Sequence, residues 1–294
     1  MEQKVERSPR LAKHALVTNV TRRIKGTASP KGDKRKLHVP SIINKQTQFE
    51  NQPSKSTKEP TQETRHHPND IMTDIPLSKI KPVYPSTSPP APETVTVQKT
   101  IDTLSLQRHI EGGYFVETDR DPLLIPNPFL SCKPYRHQPG HATAQDGSDN
   151  STRSASTSIF YFLTPAVPLG VFHRNRGRTV HTLHRGRGRY VIIHADEAEE
   201  GGKSRIESFV VGQNIAAGER LQWIVEGGKF KSSYLLPDAG QEAGGSEGLL
   251  ISETVVPGFE YSDNDFMLPE TLDELLTPEQ AKELSWMVKK ADGQ

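Results

Sequence analysis

In the second half of the chain, apolar residues come in short runs cut apart by glycine-rich or charged turns. The runs are Ser158–Leu163, Gly170–His173, Thr179–Leu183, Arg189–His194, Glu207–Val211, Arg220–Val225, Phe230–Leu236 and Leu249–Val255. No apolar pattern of helical period separates them. Closely spaced strands without intervening helices predict an all-β barrel or sandwich. Two inserts break the rhythm. Gly140–Thr152 is polar, and Pro237–Gly248 is rich in Gly and Glu. The second joins two strand candidates, so the pattern predicts a long, mobile hairpin loop. The period changes at the C-terminus. Thr277-Pro278-Glu279-Gln280 places a capping threonine before a first-turn proline, with Gln three residues after the cap. Leu284, Met287 and Val288 share one apolar face of a helix expected to run to Lys290 and to pack on the outside of the barrel.

Residues 1–95 read differently. Apolar positions are scattered, Pro, Ser, Thr, Lys and Gln dominate, and Lys81–Pro92 forms a proline-punctuated linker. This composition predicts a disordered arm, apart from a short helix that Leu11–Ile24 could form. The three parts expected are therefore a disordered basic arm with its linker (1–95), a β barrel (96–270) and a C-terminal helix (271–294). The chain is close to neutral, at +1, but the arm carries 17 basic and 9 acidic residues while the remainder carries 20 and 27. The acidic body argues against nucleic acid as the partner. Lys34-Arg35-Lys36 reads as a solvated charge run in a tail. Cys132 is the lone cysteine, which excludes an intramolecular disulfide and a cysteine-based zinc cluster. No apolar run approaches the length of a membrane span. A cytoplasmic location is expected, with nuclear or mitochondrial placement left open.

The richest chemistry lies in Phe172–His194, which holds His173, His181, His184 and His194 among six arginines. Imidazoles can bind metal, shuttle protons or line a polar cavity. Strand alternation puts His181 and His184 on opposite faces, which weakens a two-histidine metal site. Arg174 is read as a ligand clamp or a fixed salt bridge. Arg185-Gly186-Arg187-Gly188-Arg189 is read as a turn whose arginines are solvated or paired with acidic neighbours. Glu111-Gly112-Gly113-Tyr114 permits a sharp backbone turn that would hold Glu111 at a cavity mouth, with Glu117 further along. Glu253 stands in an apolar run, and an unpaired buried carboxylate is costly, so a histidine or arginine companion is expected. No phosphate loop, dinucleotide fingerprint or serine–histidine–acid arrangement is present. Cys132 lies in loop-like sequence and is not read as a nucleophile.

Residues Thr103–Phe266 resemble the cupin superfamily, and within it the branch called domain of unknown function 985, or cupin 5. The resemblance rests on Leu104, Leu106, His109, Glu111, Gly112, Gly113, Tyr114 and Phe115, then on the strand Arg153–Leu163 and on Phe172-His173-Arg174. Val225–Phe230, Val255-Val256-Pro257-Gly258-Phe259 and Asp265-Phe266 complete it. It implies a double-stranded β-helix jelly roll, often dimeric, with a pocket inside the barrel, similar to the sugar-nucleotide epimerases. Where the family usually has an Asp-Glu pair and then a Trp-His pair, this chain has Arg178-Thr179 and His181-Thr182. That exchange of negative for positive charge favours an anionic ligand.

Together these readings give an all-β cupin barrel that binds a small polar or anionic metabolite, with epimerase or isomerase chemistry on carbohydrate-like substrates. The alternatives are a non-catalytic binding barrel, a metal-dependent cupin enzyme, and an interaction protein acting through its basic arm. His173, His181 and Tyr114 are the catalytic candidates. Arg174, His184, Glu111 and Glu253 are the ligand-binding candidates. The expected partners are a small-molecule ligand and a second copy of the chain; no cofactor or metal is specified.

Overall fold

The computed structural model describes residues 71–133, 135, 150–198, 202–240 and 245–289. The expected helix at Leu11–Ile24, the Lys34–Lys36 segment and residues 140–149 of the first insert lie outside them. The strands are β1 (Ile71–Thr73), β2 (Gln107–Arg108), β3 (Tyr114–Arg120), β4 (Leu124–Pro126), β5 (Thr152–Ser154), β6 (Thr157–Leu163) and β7 (Leu169–Asn175). They continue with β8 (Arg178–Arg185), β9 (Gly188–Ile193), β10 (Ile206–Val211), β11 (Gln222–Val225), β12 (Phe230–Leu235), β13 (Leu249–Val256) and β14 (Asn264–Phe266). Three helices, α1 (Val95–Leu104), α2 (Pro269–Leu275) and α3 (Pro278–Leu284), flank them.

Two six-stranded sheets face each other. The first has the order β1-β10-β9-β12-β7-β14 and the second β11-β8-β13-β6-β3-β2. All the pairings are antiparallel except β1 with β10. This is the expected jelly roll, and its strands follow the apolar runs to within about two residues. The 237–248 connection departs from expectation. β12 pairs in the first sheet and β13 in the second, so the segment crosses between sheets and closes no hairpin.

Period-two alternation divides each strand between two environments. On β6, Ile159, Tyr161 and Leu163 face the barrel interior, packed with Leu183, Tyr190, Trp223 and Ile251. The intervening Phe160 and Phe162 face outward, against Val97 and Ile101 of α1. Thr94 caps that helix, accepting from the Val97 N–H at 3.3 Å. On the first sheet, Phe172, Val191, Ile193 and Phe230 point away from the interior and pack against Leu272, Leu284, Met287 and Val288. The expected cap is present: Thr277 and Gln280 bond reciprocally at the start of α3. α3 ends at Leu284, and a 3₁₀ turn at Ser285–Met287 carries the apolar face onward.

The ordered body begins earlier than residue 96. Residues 71–95 form a strap across the first sheet. Leu77 and Ile80 are buried beside Met287 and Val288. Asp74 forms a two-pronged salt bridge with the buried Arg189. Glu93 accepts from Tyr114 at 2.9 Å and from Thr164 at 2.7 Å. The segment reads as a linker because its buried residues are few and spaced by prolines. If the strap is part of the core, Ile80→Ala will lower the unfolding free energy by about 2–4 kcal/mol in urea titrations. A loss under about 0.5 kcal/mol would return residues 71–95 to the status of a linker.

Candidate functional site

The polar half of the interior is built around a turn. Gly112 and Gly113 have φ of +99° and +68°, and a Cβ on Gly112 would lie 2.0 Å from the Leu169 carbonyl oxygen. Only glycine allows this approach. The Val171 N–H then donates to the Glu111 carbonyl at 2.8 Å, and the Tyr161 hydroxyl donates to the Gly112 carbonyl at 3.0 Å. These bonds pin the turn against β7 and send Glu111 into the barrel.

Glu111 Oε2 lies 3.3 Å from His173 Nε2 and 3.4 Å from His109 Nδ1, while Oε1 accepts from Asn264 at 3.1 Å. His173 Nδ1 sits 2.9 Å from the Val171 carbonyl. That bond places the ring proton on Nδ1 and leaves the Nε2 lone pair toward Glu111. Burial pushes the Glu111 carboxyl above its ordinary range, and His173 and Lys231 oppose this without cancelling it. Burial also holds His173 below its ordinary range and takes His109 down to about 4. Glu111 and His173 thus face each other with the carboxyl shifted toward its protonated form and the imidazole toward its neutral form.

A second cluster lies beside the first, where Lys231 of β12 is the cross-strand partner of His173. Its Nζ is 2.5 Å from Glu253 Oε2 and 2.8 Å from His181 Nε2. Burial works against the charge on Glu253, yet Lys231 and then His181 outweigh it and hold the carboxyl well below its ordinary range. His181 is fully buried and stacks on Trp223, with ring centroids 5.1 Å apart.

A cavity of about 130 Å³ opens from these groups to the surface. His109, Glu111, His173, Asn175 and Glu253 form its depth. Phe115, Thr157, Ile159 and Val255 form its walls, and Glu117, Arg120, Phe259, Glu260 and Tyr261 its mouth. Arg120 bonds Glu117 at 2.8 and 3.0 Å and Glu260 at 2.9 Å.

Of the residues expected from sequence, Glu111, His173 and Glu253 line the cavity, and His181 stands behind Glu253. Three others lie outside it. Tyr114 pairs with Phe162 on the outer face of the second sheet and bonds Glu93. His184 is exposed and packs edge-on against Phe160, with centroids 5.4 Å apart. Arg174 follows an inward-facing His173 and so faces out, bonding Asp265 at 2.8 Å and covering Phe230. Sequence reasoning missed Lys231, although a lysine inside an apolar strand beside two serines was a usable signal. It also missed Asn175, which alternation places on the same face as His173.

Glu253 and His181 are already engaged by the Lys231 ammonium group. Among the described residues, the metal-type donors that converge within 4.8 Å of one another are His194, Asp196 and Glu197. Lys229 already sits 2.9 Å from His194 and Asp196 and 2.6 Å from Glu197.

Residues 98–267 match the family model described as "Cupin superfamily (DUF985)". An uncharacterized protein of Saccharomyces cerevisiae is 39% identical over 213 residues, covering 72% of this chain and 92% of the yeast protein. A solved structure of a hypothetical protein from Leishmania major aligns with a TM-score of 0.50 at 26% identity, over 66% of this chain and 98% of that one. A Shewanella oneidensis protein aligns with a TM-score of 0.47 at 21% identity, over 66% of this chain and 98% of that one.

The raised Glu111 has a measurable consequence. As pH climbs past about 4.5, the unfolded carboxyl ionises while the folded one keeps its proton, so its contribution to stability is lost as pH rises. The buried histidines act oppositely: their contribution is full above about 6.5 and lost as pH falls. Glu111→Gln removes the first effect and also takes away the carboxylate that raises His173, which acts with the same sign. Its stability relative to wild type will therefore rise as pH climbs past about 4.5, by at most about 1.4 kcal/mol per pH unit for the Glu111 proton. Urea titrations of both proteins test this, and a constant or shrinking difference would contradict the assignment.

Proposed function

The chain belongs to the cupin superfamily, in its DUF985 branch, and from that premise we propose that the barrel cavity binds a small polar metabolite, with Glu111 and His173 as its proton-transfer pair. One observation carries this reading: a buried carboxyl and a buried imidazole face each other 3.3 Å apart inside an open cavity. A buried acid shifted up beside a buried base shifted down suits general acid–base chemistry. The pair can take a proton from a carbon next to a ligand carbonyl, or return one to it. Phe115, Ile159 and Val255 supply apolar walls, while Asn175 and Thr157 supply neutral hydrogen-bonding groups. That mixture suits a polyol or carbonyl-bearing skeleton.

The anionic form of the ligand is not part of the proposal. The arginines that suggested it lie on the outer surface or in turns, and the cavity is lined by Glu111, Glu117, Glu253 and Glu260 against Arg120. Pairing of two copies remains part of it. The cross-strand rows Gln222–Thr182–Ser252 and Ile224–Val180–Thr254 form an uncharged outer face on the second sheet, which supports association with a like surface.

Native mass spectrometry of freshly purified full-length protein, beside a denatured sample, will report retained ligand and subunit number together. A bound metabolite, or a hit from a neutral polyol and keto-sugar panel, is expected to lose at least about tenfold in affinity in His173→Ala. His184→Ala, on the outer face, will leave affinity unchanged. In D₂O, a ligand with a proton next to its carbonyl will exchange it in wild type and not in His173→Ala. Equal losses in both variants, or no binding from a broad panel, would remove the cavity reading.

A further inference from the structure

The charges around the cavity are not balanced, and the imbalance points to a ligand class. Glu253 has its own cation in Lys231, 2.5 Å away. Arg120 bridges Glu117 and Glu260, so one guanidinium serves two carboxylates at the mouth. Among the described residues, Glu111 pairs with no lysine or arginine. Its close partners are two histidines and the Asn264 amide. Phe115, Phe259 and Tyr261 bring aromatic surface to the same space, and Phe259 and Tyr261 meet edge to face at 5.2 Å. Aromatic faces and a carboxyl that pairs with no lysine or arginine attract the same kind of group.

We infer that the ligand is a small amine, with its ammonium group set against Glu111 and bordered by the aromatic residues of the cavity. This rests on the cavity reading above and narrows it. A bound ammonium would supply the charge that Glu111 lacks, so binding would be coupled to loss of the Glu111 proton. The other titratable groups whose fields reach Glu111 are His109, His173, Tyr161, Tyr190, Lys231, Glu253 and Tyr261. Lys231 and Glu253 act on it with opposite signs, which leaves the Glu111 carboxyl as the group that responds to a new cation.

Three probes with one carbon skeleton separate the cases: 3-amino-1,2-propanediol, glycerol and glycerate, titrated into the full-length chain at pH 7.5. The amine is expected to bind at least about tenfold tighter than glycerol, with glycerate weakest. Calorimetry in two buffers of different ionisation heat will show proton release on amine binding to wild type. Glu111→Gln is expected to erase the preference of amine over glycerol, and the proton release in wild type keeps the test valid should that variant fold poorly. Glycerol or glycerate binding as tightly as the amine would overturn the amine inference and leave the metabolite-binding cavity standing. The same holds if none of the three binds while neutral compounds from the panel do. Failure of every compound at the cavity would take both readings down.

Discussion

Lys231 stands on β12 of the first sheet and Glu253 on β13 of the second, and they meet inside the barrel with Nζ 2.5 Å from Oε2. Both residues are buried. Desolvating either charge alone costs several kcal/mol, so each side chain requires the other. The pair therefore links the two sheets where an apolar barrel would have closed on itself. His181 accepts a further Lys231 hydrogen at 2.8 Å, and its ring lies flat on Trp223. The apolar half of the interior begins there, with Tyr190, Phe209, Val211 and Ile251 packed around that indole. The polar half lies on the other side and holds the cavity. Burial raises the Glu111 carboxyl, and Lys231, bonded to Glu253, opposes that shift without cancelling it.

The arginine-rich turn has an architectural role. Arg185 donates to Thr100 of α1 at 2.7 Å and lies over Phe162. Arg187 bonds Glu219 at 2.6 Å, and Glu219 also accepts from the Asn214 N–H at 2.9 Å. Arg189 holds Asp74 of the strap and Ser208 of β10. Three alternate residues at one turn between the two sheets thus clamp a helix, a surface turn and the N-terminal strap. Gly186 and Gly188 between them are required by space: a Cβ on Gly186 would lie 2.1 Å from the Gly248 carbonyl oxygen, and one on Gly188 would lie 2.5 Å from Leu249 Cδ2. The reading of this turn as arginines paired with acidic neighbours describes Arg187 and Arg189; Arg185 is paired with a hydroxyl.

The strands β6 to β13 were legible in the sequence because each is a short run ended by a turn, and that signal is local; β1 to β5 and β14, mostly short or polar, matched none of those runs. The C-terminal cap was legible for the same reason. Which face of a strand looks inward was less so. Alternation correctly separated His181 from His184. The same rule separates His173 from Arg174 and Phe115 from Tyr114, and there the chemical appeal of the outward residue obscured it. Lys231 was hidden because its partners lie 22 and 50 residues away along the chain. The strap was hidden because its few buried residues, Leu77 and Ile80 among them, are separated by prolines and polar residues. In both cases the deciding contacts are tertiary, and no window of neighbouring residues contains them.

The distribution of charge follows from the geometry of the side chains that carry it. Guanidinium has five donors and satisfies them most readily where carboxylates, carbonyls and water are all within reach. The outer surface of a two-sheet barrel offers that wherever a non-barrel segment crosses it. Arg153 does the same while buried, holding Asp263 at 2.7 Å in the segment that follows the cavity mouth. With the arginines anchoring such segments, the interior receives the shorter groups that alternation delivers: three imidazoles, two amides, two carboxyls and one ammonium. That set has no fixed positive charge free to meet an anion. Selectivity at this site is therefore decided on the carboxylate side, by how Glu111 answers to a neutral or positively charged guest.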